Sequence, residues 1–369
     1  MKSNTIKWTC ACALSMPALA SAQSSVTLSG MIDAGVTYVN NQHGGATTLF
    51  DSGVFAPNLL TFKGTEDLGG GNKALFELTS QFDLGNGSTI PGAGQIFNRT
   101  SLVGLSNDRY GTLTFGNQYD FMFETLTLGR FDGAFLFGGI YDFRQGPFAA
   151  LGVPNNPTGS FDFDRMAGAT RVPNSVKYRS PAIAGFTVGA LYGFGGVPGA
   201  FSANATTSFG LNYENGPLGL GAAYVDVKYP QLGNGHEGIR NYGFGAHYQF
   251  PSVLAMLLYT NTKNTATGAK IDVYKASALW TISGPWSAGL DYAYMHGNAA
   301  LDGNRAHQAT AAVQYRFSKR TFAYVEAIYQ RASGDNAVTQ AWINALLQPG
   351  AAASNRSQTL ARIGLSTRF

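Results

Sequence analysis

Apolar and polar side chains alternate with a period of two residues in segment after segment of this chain. In residues 241–250, NYGFGAHYQF, the odd-numbered positions Asn241, Gly243, Gly245, His247 and Gln249 lie on one face. Tyr242, Phe244, Ala246, Tyr248 and Phe250 lie on the other. The pattern recurs at 307–317, where Ala309, Ala311, Val313, Tyr315 and Phe317 oppose Gln308, Thr310, Gln314 and Arg316. It recurs again at 286–294, and at 25–38, where Val26, Leu28, Val36 and Tyr38 oppose Thr27, Ser29 and Asp33. A side-chain period of two is the signature of a strand with one polar and one apolar face. Charged residues are 12% of the chain, about half the ~25% of a soluble domain. Beyond the N-terminus no apolar run reaches the ~18 residues of a spanning helix. A helical membrane protein and a disordered chain are both excluded, the latter by 13% aromatic residues.

Alternation alone suits any half-buried antiparallel sheet. Three details favour a barrel in a membrane over a soluble sandwich. The alternating segments run longer than the ~5–6 residues usual in soluble sheets. Aromatic residues gather at the ends of the apolar faces (Tyr242 and Phe250, Trp286 and Tyr294, Tyr315 and Phe317), as belts at two lipid–water boundaries require. Tight connections such as Asp67–Gly71, Asn215–Pro217 and Ser283–Pro285 alternate with long polar ones at 40–56, 297–306 and 333–356. Strands are expected near 25–39, 58–66, 73–84, 98–107, 111–118, 171–181, 185–194, 207–215, 218–229, 239–250, 253–262, 272–283, 286–296, 306–317, 321–331 and 357–369. The fold class is therefore all-β, a transmembrane antiparallel β-barrel of about 16 strands, wide enough for an aqueous channel. Residues 337–348, AVTQAWINALLQ, are expected to form a short helix in the last long loop.

Lys2 and Lys7 precede an apolar stretch, Trp8–Ala20, and the small-residue run Ala20-Ser21-Ala22. This predicts a signal peptide over 1–22, removed on export, and a mature barrel over 23–369. Both cysteines, Cys10 and Cys12, fall in the removed piece, so disulfides and thiolate chemistry are excluded from the mature chain. The formal charge falls from +4 to +2 with Lys2 and Lys7, and no basic stripe marks a nucleic-acid partner. The five histidines lack metal-ligand spacing, Gly69-Gly70-Gly71 opens no helix, and Phe161-Asp162-Phe163-Asp164 lacks a full calcium ligand set. Neither an enzyme nor a cofactor is expected.

Several segments resemble the trimeric general-diffusion porins of the Gram-negative outer membrane. SSVTLSGMIDAGVTYVN (24–40) is similar to their opening strand, and TFKGTEDLGGGNKALFELTSQFD (61–83) to their second hairpin. RTSLVGLSNDRYGTLTFGNQYD (99–120) resembles the run into their constriction loop. RVPNSVKYRSPAIAGFTVGALYG (171–193), HQATAAVQYRFSKRTFAYVEAIY (307–329) and the terminal RIGLSTRF (362–369) extend the likeness over nearly all of 24–369. The resemblance implies a homotrimer in outer-membrane lipid that passes ions and small hydrophilic solutes. It also implies a third long loop folded into the barrel, here about 119–170, with acidic groups facing arginines on the wall. That stretch carries nine phenylalanines, more than a freely solvated loop would hold. The family's wall arginines map onto Arg99 and Arg171. Where the family commonly has a further arginine this chain has Leu59, and Gly116-Asn117-Gln118-Tyr119 replaces the usual Gly-Arg-Gln-Tyr. On the loop, Glu124, Asp132 and Asp142 are the acidic candidates, interleaved with Arg130 and Arg144. Extending the strand alternation gives eleven inward cations against seven inward anions, Lys228 and Asp226 among them. A passive, weakly anion-preferring pore is expected; a solute-specific pore, a barrel hydrolase and an adhesin are the alternatives.

Overall fold

The computed structural model describes residues 25–90, 94–139, 145–336, 339–343 and 352–369. The expected signal peptide, Asp142, Arg144 and most of the expected helix at 337–348 lie outside these residues; the described part of that stretch, 339–343, is not helical. The wall begins with β1 (Ser25–Gln42), β2 (Gly45–Ser52), β3 (Leu59–Gly69), β4 (Asn72–Gln81), β5 (Thr100–Asn107) and β6 (Gly111–Gln118). After the long loop come β7 (Val172–Arg179), β8 (Phe186–Gly193), β9 (Thr206–Asn215), β10 (Leu218–Lys228), β11 (Gly238–Gln249) and β12 (Val253–Asn264). It ends with β13 (Lys270–Ser283), β14 (Trp286–Gly297), β15 (Arg305–Arg316), β16 (Thr321–Ser333) and β17 (Ser357–Arg368).

From β3 onward each strand pairs antiparallel with the next, and β17 returns to β1, from Met31 opposite Arg368 to Val39 opposite Leu360. No edge is left open. That closure is what lipid demands, since a backbone N–H or C=O in hydrocarbon has no water to bond. On its other flank β1 is met twice, by β3 along Ser25–Met31 and by β2 along Ala34–Gln42. The two segments share one position in the circuit, so seventeen strand segments make a sixteen-position barrel.

The β2 segment corrects the expectation of a long loop at 40–56. Its Thr47, Leu49 and Asp51 face inward opposite the β1 residues Val39, Thr37 and Gly35. An inward bulge, residues 53–58, breaks its continuity with β3 and hides it in the sequence. The bulge is bonded to β1: Asp33 Oδ1 accepts from Val54 N (2.9 Å) and Phe55 N (3.1 Å), and Asn58 Oδ1 accepts from Asp33 N (2.7 Å). The β3–β4 turn needs its three glycines, because Gly69, Gly70 and Gly71 all have positive φ (82°, 61° and 80°).

The faces sort as alternation requires. On β15 Ala306, Gln308, Thr310, Ala312 and Gln314 are buried inside, while Arg305, His307, Ala309, Ala311 and Val313 are exposed on the outer face. Two charges are placed differently from the sequence expectation: Asp226 and Lys228 lie on the outward face of β10 with Leu220 and Tyr224. The inward positions of that strand are Ala223 and Val225, apolar because they pack against the loop. The rule that polar means lumen fails where the lumen wall is covered by protein.

Inside the seam of β1, β2, β16 and β17 sits a fully buried guanidinium, Arg362. It pairs with Asp33 (3.2 Å) and Asp51, and donates to Tyr324 Oη (2.8 Å) and Thr37 Oγ1 (2.8 Å). Tyr324 in turn donates to Asp33 Oδ2 at 2.9 Å. A buried charge is tolerable only with such partners, and removing one partner costs about 3–5 kcal/mol. Arg362→Met should therefore lower the heating temperature at which folded barrel converts to the unfolded band on gels. The triple variant Arg362→Met/Asp33→Asn/Asp51→Asn should recover much of the loss. A single variant as stable as wild type would show that the cluster is not what closes the seam.

Candidate functional site

The described parts of the segment from Tyr119 to Thr170, 119–139 and 145–170, turn into the barrel and lie against the inner wall. The segment begins with a wide helical turn, Met122–Thr127, followed by the short helix α1 (Gly133–Phe137). Asp132 caps α1, accepting from Ala134 N at 3.1 Å. A tight turn follows at Ala149–Leu151. Of the nine loop phenylalanines, 121, 123, 131, 137, 148, 161 and 163 are buried and Phe135 is partly so; Phe143 lies outside the described residues.

Four loop side chains seat in wall positions that lack a Cβ. The Phe121 ring occupies the space beside Gly189 and Gly210, Phe131 that beside Gly221 and Gly245, Phe137 that beside Gly289, and Leu126 that beside Gly243. A methyl group at any of the five sites under the rings would lie 2.1–2.5 Å from the nearest ring carbon, far inside van der Waals contact. Burying each ring is worth roughly 1.5–3 kcal/mol against leaving it exposed. Polar wall side chains meanwhile satisfy the loop backbone. Asn241 donates to Phe163 O (2.8 Å), Asn264 to Leu151 O (2.9 Å) and Asn304 to Pro147 O (2.8 Å), while Ser208 Oγ accepts from Phe121 N (3.0 Å).

The expected charged residues fall into two groups. Glu124 and Asp132 are tied to the wall. Glu124 pairs with Lys177 (2.6 Å) and, more weakly, Arg179 (3.5 Å). Asp132 is fully buried against Lys275 at 2.5 Å, and Lys275 also reaches Asp291 at 3.2 Å. Asp132 is thus an anchor of the loop and presents no surface to the lumen. Arg130, in contrast, is exposed, with φ of 67°.

Arg99 and Arg171 converge on one aromatic ring. Their guanidinium carbons lie 5.4 Å and 5.6 Å from the Tyr119 centroid. Arg99 donates to Gln81 Oε1 at 2.6 Å; Arg171 donates to Gly168 O (2.6 Å), Ala169 O (3.1 Å) and Asn98 O (3.0 Å). Among the described residues neither has an ion pair. Burial, then the like charge of Arg99, pull Arg171 down to about 10, so it stays cationic at neutral pH. Leu59 sits on the inward face, directly across from Gln81 on β4. The sequence left the direction of Arg99 open, because it stands one residue before β5 begins. It also missed Tyr119 and the socket glycines. Their signal is a glycine at an inward strand position in a chain whose loop is rich in Phe.

Asp162 and Asp164 are buried at the loop root. Asp162 accepts from Ala167 N (2.7 Å) and Ala169 N (2.9 Å), closing the turn that leads to Arg171, and Asp164 accepts from Thr260 Oγ1 (2.8 Å). Next to this turn Arg165 pairs with Asp120 at 2.5 Å.

An inward-folded loop within a closed barrel of sixteen positions defines a channel of the outer membrane. The comparisons with known proteins agree. Residues 8–336 match the family model described as Gram-negative porin. The chain is 32% identical over 317 residues to outer membrane porin protein 32 of Delftia acidovorans, covering 83% of each chain. It is 31% identical over 274 residues to an outer membrane porin protein of Bordetella pertussis, spanning 66% of this chain and 65% of that one. Among solved structures, an anion-selective porin from Comamonas acidovorans superposes with a TM-score of 0.77 at 25% identity, over 94% of this chain and all of that one. The chain belongs to the Gram-negative porin family. It is a multi-pass barrel of the outer membrane and a channel for small solutes, not an enzyme.

The loop root supplies a pH test. Burial, reinforced by Asp164, lifts the Asp162 carboxyl from 3.8 to about 7. Between those values the folded root holds a proton that the open root releases, so seating is firmest at the acid end and weakens as pH rises toward 7. Amide exchange at 162–169, corrected for its intrinsic pH dependence, should show protection falling between about pH 4 and 7 in wild type and levelling off above that. Asp162→Asn should flatten that dependence. Equal slopes in both proteins would remove Asp162 as the cause.

Proposed function

We propose that this porin is a passive, water-filled pore for ions and small hydrophilic solutes, weakly preferring anions, that works as a homotrimer. The observation that carries the preference is the unequal pairing of charges at the loop. Glu124 and Asp132 are neutralised by wall lysines, whereas Arg99, Arg171 and the exposed Arg130 have no ion pair among the described residues. With Asp226 and Lys228 turned outward and Asp51 turned inward, the expected tally becomes ten inward cations against seven anions, an excess of three. Most of these lie along a wide wet lumen, where salt screens them within ~8 Å; charges at the narrowest section set selectivity. The pore constriction is accordingly assigned to Arg99, Arg171 and Arg130, with Leu59 as the neutral gap in the positive arc and the paired Glu124 as its acidic border. The Comamonas porin, described as anion-selective, supports the sign.

Planar bilayers test the reading. Purified protein should give stepwise, ohmic conductance, and a salt gradient should give a small reversal potential of anion-selective sign. Arg99→Ala/Arg171→Ala should shift it toward cations. Leu59→Arg, which places a third guanidinium across from Gln81, should shift it further toward anions. Insertion without current would end the channel reading; unchanged reversal potentials in both variants would remove these residues from the constriction.

The trimer rests on family likeness and on the outward apolar residues of the first strands, Val26, Leu28, Val36 and Phe50, all exposed in the single chain. Unheated protein extracted in mild detergent should migrate near three times the mature mass. A monomer under every mild condition would contradict it.

A further inference from the structure

The constriction loop does not lie flush against the wall along its whole length. Where its return limb passes β10 and β11, loop and wall enclose a cavity of about 140 Å³. Val153, Pro154, Pro157 and Phe161 line it from the loop, and Val227 and Ile239 line it from the wall. The turn on its loop side is pinned. Asn156 donates to Phe161 O at 2.7 Å and accepts from Phe161 N at 3.0 Å. Asn155 and Pro157 are exposed where the cavity meets the surface, and Asn155 Oδ1 accepts from Gln231 Nε2 on the β10–β11 connection (3.3 Å). The cavity is thus preformed and has a way in.

The charged groups around it are already engaged. Arg165 pairs with Asp120 at 2.5 Å, and the two oxygens of Asp162 accept from Ala167 N and Ala169 N. One buried polar atom of the lining is left over. Asn241, fully buried on β11, donates through Nδ2 to Phe163 O (2.8 Å) and Thr262 Oγ1 (2.7 Å). Its Oδ1 is buried with no hydrogen-bond partner among the described residues. Two acceptors around the nitrogen fix which amide atom is which. An unpaired buried acceptor is costly, and a donor brought in by a ligand removes that cost.

We propose that this cavity is a ligand site for a neutral single-ring phenol, its ring among Pro154, Phe161 and Ile239 and its hydroxyl donating to Asn241 Oδ1. Three observations select the class. The volume suits about seven heavy atoms, since a dry cavity of ~150 Å³ takes benzene. The charges around it are paired or capped, so an ion would lose its hydration and gain no counter-charge. The single unpaired acceptor calls for a single donor, and a rigid ring loses less conformational freedom on binding than a flexible alcohol of the same size. Water filling the same space would want about 2–4 polar partners per molecule, more than this mainly apolar lining provides. Because loop and wall share the site, an occupant braces the limb that leads to Arg171, and the constriction gains an effector that never enters the lumen. The inference rests on the cavity alone and is independent of ion selectivity.

The test uses the folded mature protein in detergent, with the methyl groups of Val153, Val227 and Ile239 followed by NMR as phenol is added. Ile363, exposed on the lipid face, reports compounds that merely partition into detergent. Saturable shifts at the three cavity residues, one phenol per barrel, are expected, with only a linear drift at Ile363. Toluene, the same shape without a donor, and benzoate, the same ring with a charge, are the comparison ligands. Phenol should bind at least tenfold more tightly than benzoate. The phenol-to-toluene affinity ratio should fall about tenfold in Asn241→Leu, which removes the acceptor. Val153→Trp, which fills the cavity from the loop, should abolish saturation by both ligands, and it decides the matter if Asn241→Leu seats the loop poorly. With phenol at ~100 times its Kd, amide exchange at 153–165 through openings that break the cavity should slow by the same factor. No saturable shift in wild type would mean that the cavity holds water only, and would overturn the proposal. So would an unchanged phenol-to-toluene ratio in a well-seated Asn241→Leu, or undiminished binding by Val153→Trp.

Discussion

A loop can lie flat against the inside of a barrel only where the wall gives it room, and here that room is made by glycine. Phe121, Phe131 and Phe137 each enter a space that a single Cβ would occupy. Those rings fix the path of the loop over strands β8 to β14, and the path fixes everything charged that hangs from it. Because the sockets lie on separate strands, no one of them can slide without unseating the next. Polar side chains around the sockets take up the loop backbone, so the aromatic seating does not strand buried donors or acceptors.

Electrostatics then divides according to burial. Lys275 is wholly enclosed, and its charge is balanced at once by Asp132 on the loop and Asp291 on the wall. Such an arrangement contributes registry more than net stability, since desolvation offsets most of the attraction. Its consequence for the pore is indirect but large. A carboxylate spent on anchoring cannot contribute a negative field to the lumen. Glu124 and Asp132 are consumed this way, while Arg99 and Arg171 are held by carbonyls, an amide and an aromatic face, none of which cancels their charge. The positive constriction proposed above would follow from this unequal pairing, although the chain as a whole carries a formal charge of only +4.

Much of the barrel was legible in the sequence because strands that face lipid on one side and water on the other must alternate, as 241–250 and 307–317 do. Legibility failed where one of those solvents is replaced by protein. On β10 the loop covers the inner face, Ala223 and Val225 turn inward, and Asp226 and Lys228 emerge outside, the reverse of the lumen rule. The β2 segment was hidden for a related reason: the bulge at 53–58 folds in and interrupts the alternation that joins it to β3. At the site, Arg99 and Arg171 came from resemblance and Arg171 also from parity. The burial of Asp132 could not be read, because its partner Lys275 is far away in sequence and only the closed barrel brings them together.

One stretch of wall explains why the loop inside coincides with an apolar groove on the lipid side, flanked by Leu220, Phe244 and Leu257. Strands β10 and β11 read Gly221-Ala222-Ala223 and Gly243-Phe244-Gly245-Ala246, residues poor in side-chain bulk and unfavourable for strands. Left alone, so thin a wall would have little to pack with on either face. Phe131 fills it from within, over Gly221 and Gly245, and the alanines between those glycines leave a hollow on the lipid side. Packing supplied by other parts stabilises a segment that its own residues do not. A wall thinned to admit the loop therefore also presents an indentation to the membrane, and a single local economy of side chains shapes both the pore and the lipid-facing surface.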